Sequence, residues 1–144
     1  MVSLQHFETL KNLKAELKNS HGLEAIILHE QSSGGRAIIE KLEYYTNVDF
    51  AVVLLTPDDV GAKESDKENL KPRARQNVIL ELGYMMAKLG RKNVCALLKD
   101  TVEKPTDYDG VVYVPMDNSD AWKQTLVREL KAAGVNGKFE KLYS

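Results

Sequence analysis

One cysteine, four prolines and one tryptophan stand in a chain of 144 residues. The lone cysteine, Cys95, excludes an internal disulfide and the stapled scaffolds of oxidising compartments. A packed thiol in a reducing cytoplasm is the expected setting. Neither sign of charge dominates, because 20 basic against 21 acidic residues leave a net charge of −1. No global field therefore draws the chain to nucleic acid or to an anionic membrane. No apolar run approaches the roughly 18 residues needed to cross a bilayer, and the amino terminus lacks the basic-then-apolar pattern of a signal peptide. Internal repeats and long linkers are also missing. These absences predict a soluble, cytoplasmic domain. A length of 144 residues suits a single domain over 1–144 with a sizeable core.

What the chain does have is a series of short apolar runs that do not alternate with polar residues. They are EAIILHE (24–30), DFAVVLL (49–55), NVCALL (93–98) and GVVYVPM (110–116). Runs rich in Val, Ile and Leu suit strands covered on both faces, as in a parallel sheet. Helical patterns separate them. Leu4, Phe7, Leu10, Leu13 and Leu17 recur at spacings of three and four. Ser33 is placed to cap a helix from about Gly34 to Tyr45, with Ile38, Ile39 and Leu42 facing inward. Pro72 suits the first turn of a helix over Arg73–Leu89, which Gly90 ends. Trp122, Leu126, Leu130 and Ala133 mark a last helix, closed by Gly134. This alternation predicts an α/β fold with right-handed crossovers. Two polar segments interrupt it: Thr56–Lys71 reads as a surface loop, and Lys99–Asp109 as a loop and turn in place of a crossover helix.

Ligands on open α/β sheets bind at the carboxyl ends of strands, and three stretches fall there. In QSSGGR, the residues Ser32, Ser33, Gly34 and Gly35 lead into a helix whose free amides suit a phosphate or ribose, and Arg36 adds a charge-assisted contact. Alone, the same residues also make an ordinary βα connection. Asp58 and Asp59 follow the second run; a Pro-Asp turn with solvated charges accounts for them, and no metal site is expected. The third stretch is RARQNVILELGYMMAKLG. At about 100° per residue, Val78, Leu82, Met85 and Leu89 form the stripe that faces the sheet, and Glu81 falls about 70° to one side, with Asn77 and Lys88. None of its neighbours three or four residues away is cationic, so a helical ion pair is excluded. Water, another element or a ligand must satisfy it. Leu80 and Tyr84 add apolar surface on the far side, which suits a second subunit. Arg73 and Arg75 sit in the expected first turn, where the helix dipole disfavours cations unless an anion binds. The residues alone leave Glu81 open as a solvated edge group or as a site group.

Taken together, HEQ…GRAIIEKLE, DFAVVLLTPDDVG, KPRARQNVILELGYMMAKLGR, NVCALLK and YDGVVYVPMD resemble one family over about residues 22–135. It is the family of bacterial TIR-like domains with a predicted nucleotide-binding role, found in anti-phage systems and in some cases fused to STING or other cyclic-nucleotide sensors. The resemblance implies a flavodoxin-like parallel sheet of four or five short strands flanked by helices. It also implies an NAD glycohydrolase that releases nicotinamide, with NAD as substrate and no separate cofactor. The family's catalytic glutamate lies in the segment matching NVILELG, which points to Glu81. The Ser32–Arg36 loop matches the loop flanking the nucleotide, and Asn77, Arg73 and Arg75 are supporting candidates.

One departure from the family pattern concerns its first strand. Helical spacing starts almost at Ser3, so that strand is expected to be missing or shortened. Either the sheet closes without it, or a partner chain supplies it, or the natural start lies upstream. Two rival readings accompany the first: a non-catalytic TIR scaffold acting by self-association, and a nucleoside deoxyribosyltransferase, whose NxxxELG helix also places a glutamate at an N-glycosidic bond.

Overall fold

Five apolar residues in a row, Val94–Leu98, are all buried in the computed structural model. An uninterrupted run can be buried residue by residue only if both faces of its strand are covered. The structure describes residues 4–25, 38–45, 47–105, 112–117 and 119–135. The chain divides into two units, residues Phe50–Ala133 and the segments Met1–Asp49 with Gly134–Ser144.

The larger unit is built around a three-stranded parallel sheet. β1 (Ala51–Leu55) pairs with β4 (Val94–Lys99), and β4 pairs with β5 (Val112–Met116), so β4 is central. The register sets Val53 against Ala96 and Leu55 against Leu98; on the other face it sets Val52 against Cys95 and Leu97 against Val114. Pro115 of β5 pairs opposite Leu98 and is exposed, as suits a strand bordered on one side. The helix α3 (Gln76–Leu89) covers the Val53–Ala96 face through Val78 and Leu82. Helix α4 (Ala121–Ala132) packs on β5 and buries Trp122, Leu126, Val127 and Leu130. Each fully buried leucine, such as Leu55 or Leu97 at 0 % exposure, contributes about 1.5–3 kcal/mol.

The α/β class and the parallel sheet agree with the sequence reading, and β1, β4 and β5 fall on the apolar runs that begin at Asp49, Asn93 and Gly110. Gly90 ends α3 as expected: its N–H makes the last helical bond, to the Met86 carbonyl at 3.0 Å, and its φ of 87° turns the chain out of the helix. Of the run over 24–30, only Glu24 and Ala25 are described, and the strand expected there lies outside the described residues.

Two expectations are corrected. The stretch expected as a loop contains β2 (Asp59–Gly61), a short 3₁₀ turn (Glu64–Asp66) and the start of β3 (Lys71–Arg73). β2 and β3 form an antiparallel ribbon. Helix α3 also begins at Gln76, not Arg73. Pro72 lies inside β3, and its carbonyl accepts a hydrogen bond from the Glu103 N–H at 2.7 Å, which holds this segment extended. Pro favours the β region as readily as a helix start, and the local pattern could not separate the two.

In the smaller unit, α1 (Leu4–His21) buries Leu13, Leu17 and His21 at successive spacings of four. Gly22, at φ 67°, turns the chain out of it. In α2 (Ile38–Tyr45), Leu42 is fully buried, but Ile39 is 38 % exposed. Ile39 stands about 60° around the helix from Leu42, at the margin of the buried stripe.

Candidate functional site

The packing of α3 fixes its rotation. Val78 and Leu82 are buried in one cluster with Ala51, Val53, Leu55, Val94, Ala96 and Leu98. That leaves Glu81 half-buried on the helix edge, between the buried stripe and the exposed Asn77 and Lys88. Leu80, 44 % exposed, points to the outer side. Glu81 is not without a partner in the folded chain, so the missing helical cation does not leave its carboxylate free.

At the start of α3, Arg75 is the N-cap residue in an extended conformation (φ −65°, ψ 152°), and its carbonyl accepts from the Val78 and Ile79 amides at 3.1 and 3.2 Å. Arg75 makes no side-chain capping hydrogen bond at this end, and no acidic residue occupies the first turn. The first helical N–H groups therefore lack intrahelical acceptors. Arg75 Nε is buried, with no hydrogen-bond partner among the described residues. A buried guanidinium nitrogen without an acceptor is unfavourable, and an anionic oxygen is its natural complement. Glu81 follows Arg75 by six positions, about 9 Å along the helix axis. A helix N-terminus beside a buried guanidinium nitrogen, with a half-buried carboxylate about 1.7 turns later, suits a ligand anionic at one end and reactive at the other.

Arg73 does not share this position. It lies in β3, with Nε 3.5 Å from Asp59 Oδ2, and its guanidinium covers Gly61, where a Cβ would collide with it. Both side chains of that pair are more than 40 % exposed, so the pair is worth little in stability, on the order of 0–1 kcal/mol. Its effect is geometric, since it turns Arg73 onto the ribbon. Asp58 behaves as a turn residue: Thr56 Oγ1 donates to its carboxylate, and the Asp58 N–H donates to the Thr56 carbonyl at 2.8 Å. Among the described residues no group of three His, Cys, Asp or Glu could hold a metal.

Of the other expected site residues, Asn77 is exposed on the second position of α3, and Ser32, Ser33, Gly34, Gly35 and Arg36 lie outside the described residues. Asp59, expected with Asp58 in a Pro-Asp turn with solvated charges, instead opens β2 and lies beside Arg73, a pairing that the sequence reading missed. Its signal was an acid and a base flanking the polar stretch SDKEN, as the two ends of a hairpin do. A depression of about 360 Å³ lined by Gly90–Asn93 lies at the far end of α3 and involves none of these groups. Cys95 is fully buried, and burial followed by the nearby Glu129 carboxylate pushes its thiol up to about 12, so it is no nucleophile. No helix among the described residues is long and apolar enough to cross a membrane.

A family model described as CAP12/Pycsar effector protein, TIR domain, matches residues 2–118. The uncharacterized protein YuaY of Escherichia coli (strain K12) is 50% identical over 115 residues, 79% of this chain and 38% of its own length. Protein tirC of Dictyostelium discoideum is 37% identical over 92 residues, 61% of this chain and 46% of its own length. The chain spans less than half the length of either relative.

Proposed function

Since the chain belongs to the TIR-domain family of CAP12/Pycsar effector proteins, we propose that it is an NAD glycohydrolase of bacterial defence signalling, with Glu81 as its catalytic carboxylate. The observation that carries the reading is the placement of Glu81: half-buried on the edge of α3, downstream of an N-terminus whose Arg75 Nε has no acceptor among the described residues. Cleavage of the bond between nicotinamide and ribose develops positive charge on the ribose ring. A fixed carboxylate beside that ring stabilises the oxocarbenium-like state. Nicotinamide departs as a neutral base, so no strong general acid is required. Water then adds to the anomeric carbon, and ADP-ribose and a proton are released. Arg75 and the first amides of α3 take the pyrophosphate.

The test is nicotinamide release by the purified chain and by Glu81→Gln, which keeps the shape and removes the charge. A fall in kcat of about 100-fold or more is expected. Arg75→Ala is expected to raise KM with little change in kcat, because it removes binding common to the ground and transition states. Equal rates for the wild type and Glu81→Gln, or no release at high protein concentration, refute the reading. Base exchange on deoxynucleosides without NAD loss would assign the site to deoxyribosyl transfer instead.

A further inference from the structure

We propose that the turn after the central strand, Lys99–Lys104, positions the Arg75 N-cap, acting through the backbone N–H of Glu103. The need for such a support follows from the topology. β2 and β3 pair with each other and, among the described residues, with no strand of the parallel sheet. No ladder therefore ties β3 to that sheet, although β3 leads directly into Ala74 and Arg75. Two other contacts hold it. Ala74 is buried in the core cluster that contains Val78 and Leu82. Two residues earlier, the Pro72 carbonyl accepts from the Glu103 N–H at 2.7 Å. From Pro72 to Arg75 the chain spans at most about 10 Å, and the proline ring stiffens its start. A displacement of the Pro72 carbonyl is therefore passed to the Arg75 backbone, whose own carbonyl accepts from the Val78 and Ile79 amides.

The donor side is itself rigid. β4 runs to Lys99, and the Val102 N–H returns to the Lys99 carbonyl at 3.4 Å, closing a tight turn. Asp100 takes a φ of 55° in that turn, in the left-handed region that residues other than glycine rarely occupy. Such a conformation persists where its surroundings over-determine it. Here Val102 is buried in the same core cluster as Ala74. The Lys104 ammonium lies 5.4 Å from the centre of the Tyr113 ring on β5. The Glu103 N–H is thus held between a buried residue and a side chain resting on β5. The Glu103 side chain is exposed, so its backbone and not its carboxylate carries the role. The turn stands at the carboxyl end of the central strand, the end at which α/β sheets bind ligands. This role rests on the reading of Arg75 as the pyrophosphate contact: Glu103 and Val102 act through Arg75, not on the substrate.

Two substitutions at one position separate the backbone role from a side-chain one. Glu103→Pro removes the N–H, whereas Glu103→Ala keeps it. Glu103→Pro is expected to raise KM for NAD by about 3- to 10-fold, the equivalent of one lost hydrogen bond, with kcat unchanged within about twofold. Glu103→Ala is expected to match the wild type. On top of Arg75→Ala, Glu103→Pro is expected to add nothing, because both act on one contact. Hydrogen exchange supplies a readout free of substrate. The Val78 and Ile79 amides, bonded to the Arg75 carbonyl, are expected to exchange about 3- to 10-fold faster in Glu103→Pro. The Gly90 amide at the far end of α3 is expected to keep its rate. Val102→Ala loosens the same turn and is expected to act in the same direction; it takes the place of Glu103→Pro should circular dichroism show that variant unfolded. A KM that Glu103→Pro leaves unchanged, an equal rise in Glu103→Ala, a full further rise on top of Arg75→Ala, or Val78 and Ile79 amides exchanging at the wild-type rate would each overturn the proposal. A wild type that releases no nicotinamide refutes the glycohydrolase reading alone, and the exchange rates then decide the positioning role by themselves.

Discussion

Truncating two leucines of α3, two residues apart, tests the rotation on which the Glu81 assignment depends. Leu82 is 2 % exposed and packs among Val53, Ala96 and Leu98 on the sheet; Leu80 is 44 % exposed on the outer side. Leu82→Ala removes buried methyl groups and leaves a cavity that rigid strands cannot fill, for a cost of about 2–5 kcal/mol. Leu80→Ala removes surface already in water and should stay within about 0.5 kcal/mol. With a urea m value of about 1.5–2 kcal/mol per molar, a loss near 3 kcal/mol lowers the midpoint by about 1.5–2 M. The Leu80 variant should shift it by less than about 0.3 M. Equilibrium urea unfolding followed by circular dichroism measures both. Equal shifts, or a larger one for Leu80→Ala, would mean that α3 is turned on its axis. Glu81 would then not stand on the helix edge, and the catalytic assignment would lose its geometric basis.

Three further outcomes follow from the same packing. Gly83 sits inside α3 with nothing within 4 Å of an added Cβ, so Gly83→Ala should raise stability by about 1 kcal/mol in the urea assay. Gly61→Ala should displace the Arg73 guanidinium from the ribbon, which a crystal structure of the variant would show; an Arg73 left in place would refute the contact. Cys95 should resist iodoacetamide at neutral pH in the folded chain and react once urea unfolds it. Because folding raises its thiol from 9.0 to about 12, the neutral form is favoured in the native state. Its contribution to stability is thus complete below about pH 9 and is lost as pH rises toward 12, which urea midpoints across that range would register.

The parts of the fold legible in the sequence were those whose pattern is imposed by burial. Val94–Leu98 had to be a central strand because no half-exposed element buries five consecutive side chains. Trp122, Leu126 and Leu130 announced α4 for the same reason. The β2–β3 ribbon was not legible. Its strands are three residues each, one contains a glycine and the other a proline, and residues 62–71 are all exposed, so no apolar period marked them. That gap misplaced Arg73, which local pattern assigned to a helix and which pairing with Asp59 holds in a strand. Glu81 was correctly placed on α3 because the helix pattern after Gln76 is strong, whereas Arg75, expected in the first turn, is the extended N-cap residue just before it. That Arg75 Nε has no acceptor among the described residues could be seen only with side chains in place.

Core packing and candidate chemistry are coupled through α3. A slip of α3 by one residue would turn it by about 100°, carrying Leu82 toward solvent and Glu81 either into the Val53–Ala96 core or out to full hydration. Burying an unpaired carboxylate is far more costly than losing one leucine contact, so the first direction is forbidden. The second would release Val78 and Leu82 from the sheet together, at several kcal/mol. The observed rotation lies between these two penalties. It also keeps the Arg75 N-cap and Glu81 on one rigid element, so their separation cannot drift with loop motion. In the glycohydrolase reading proposed above, a cation for the phosphate and a carboxylate for the developing ribosyl cation would thereby be held at a fixed spacing. Substrate binding energy at one end can then be expressed as orientation at the other.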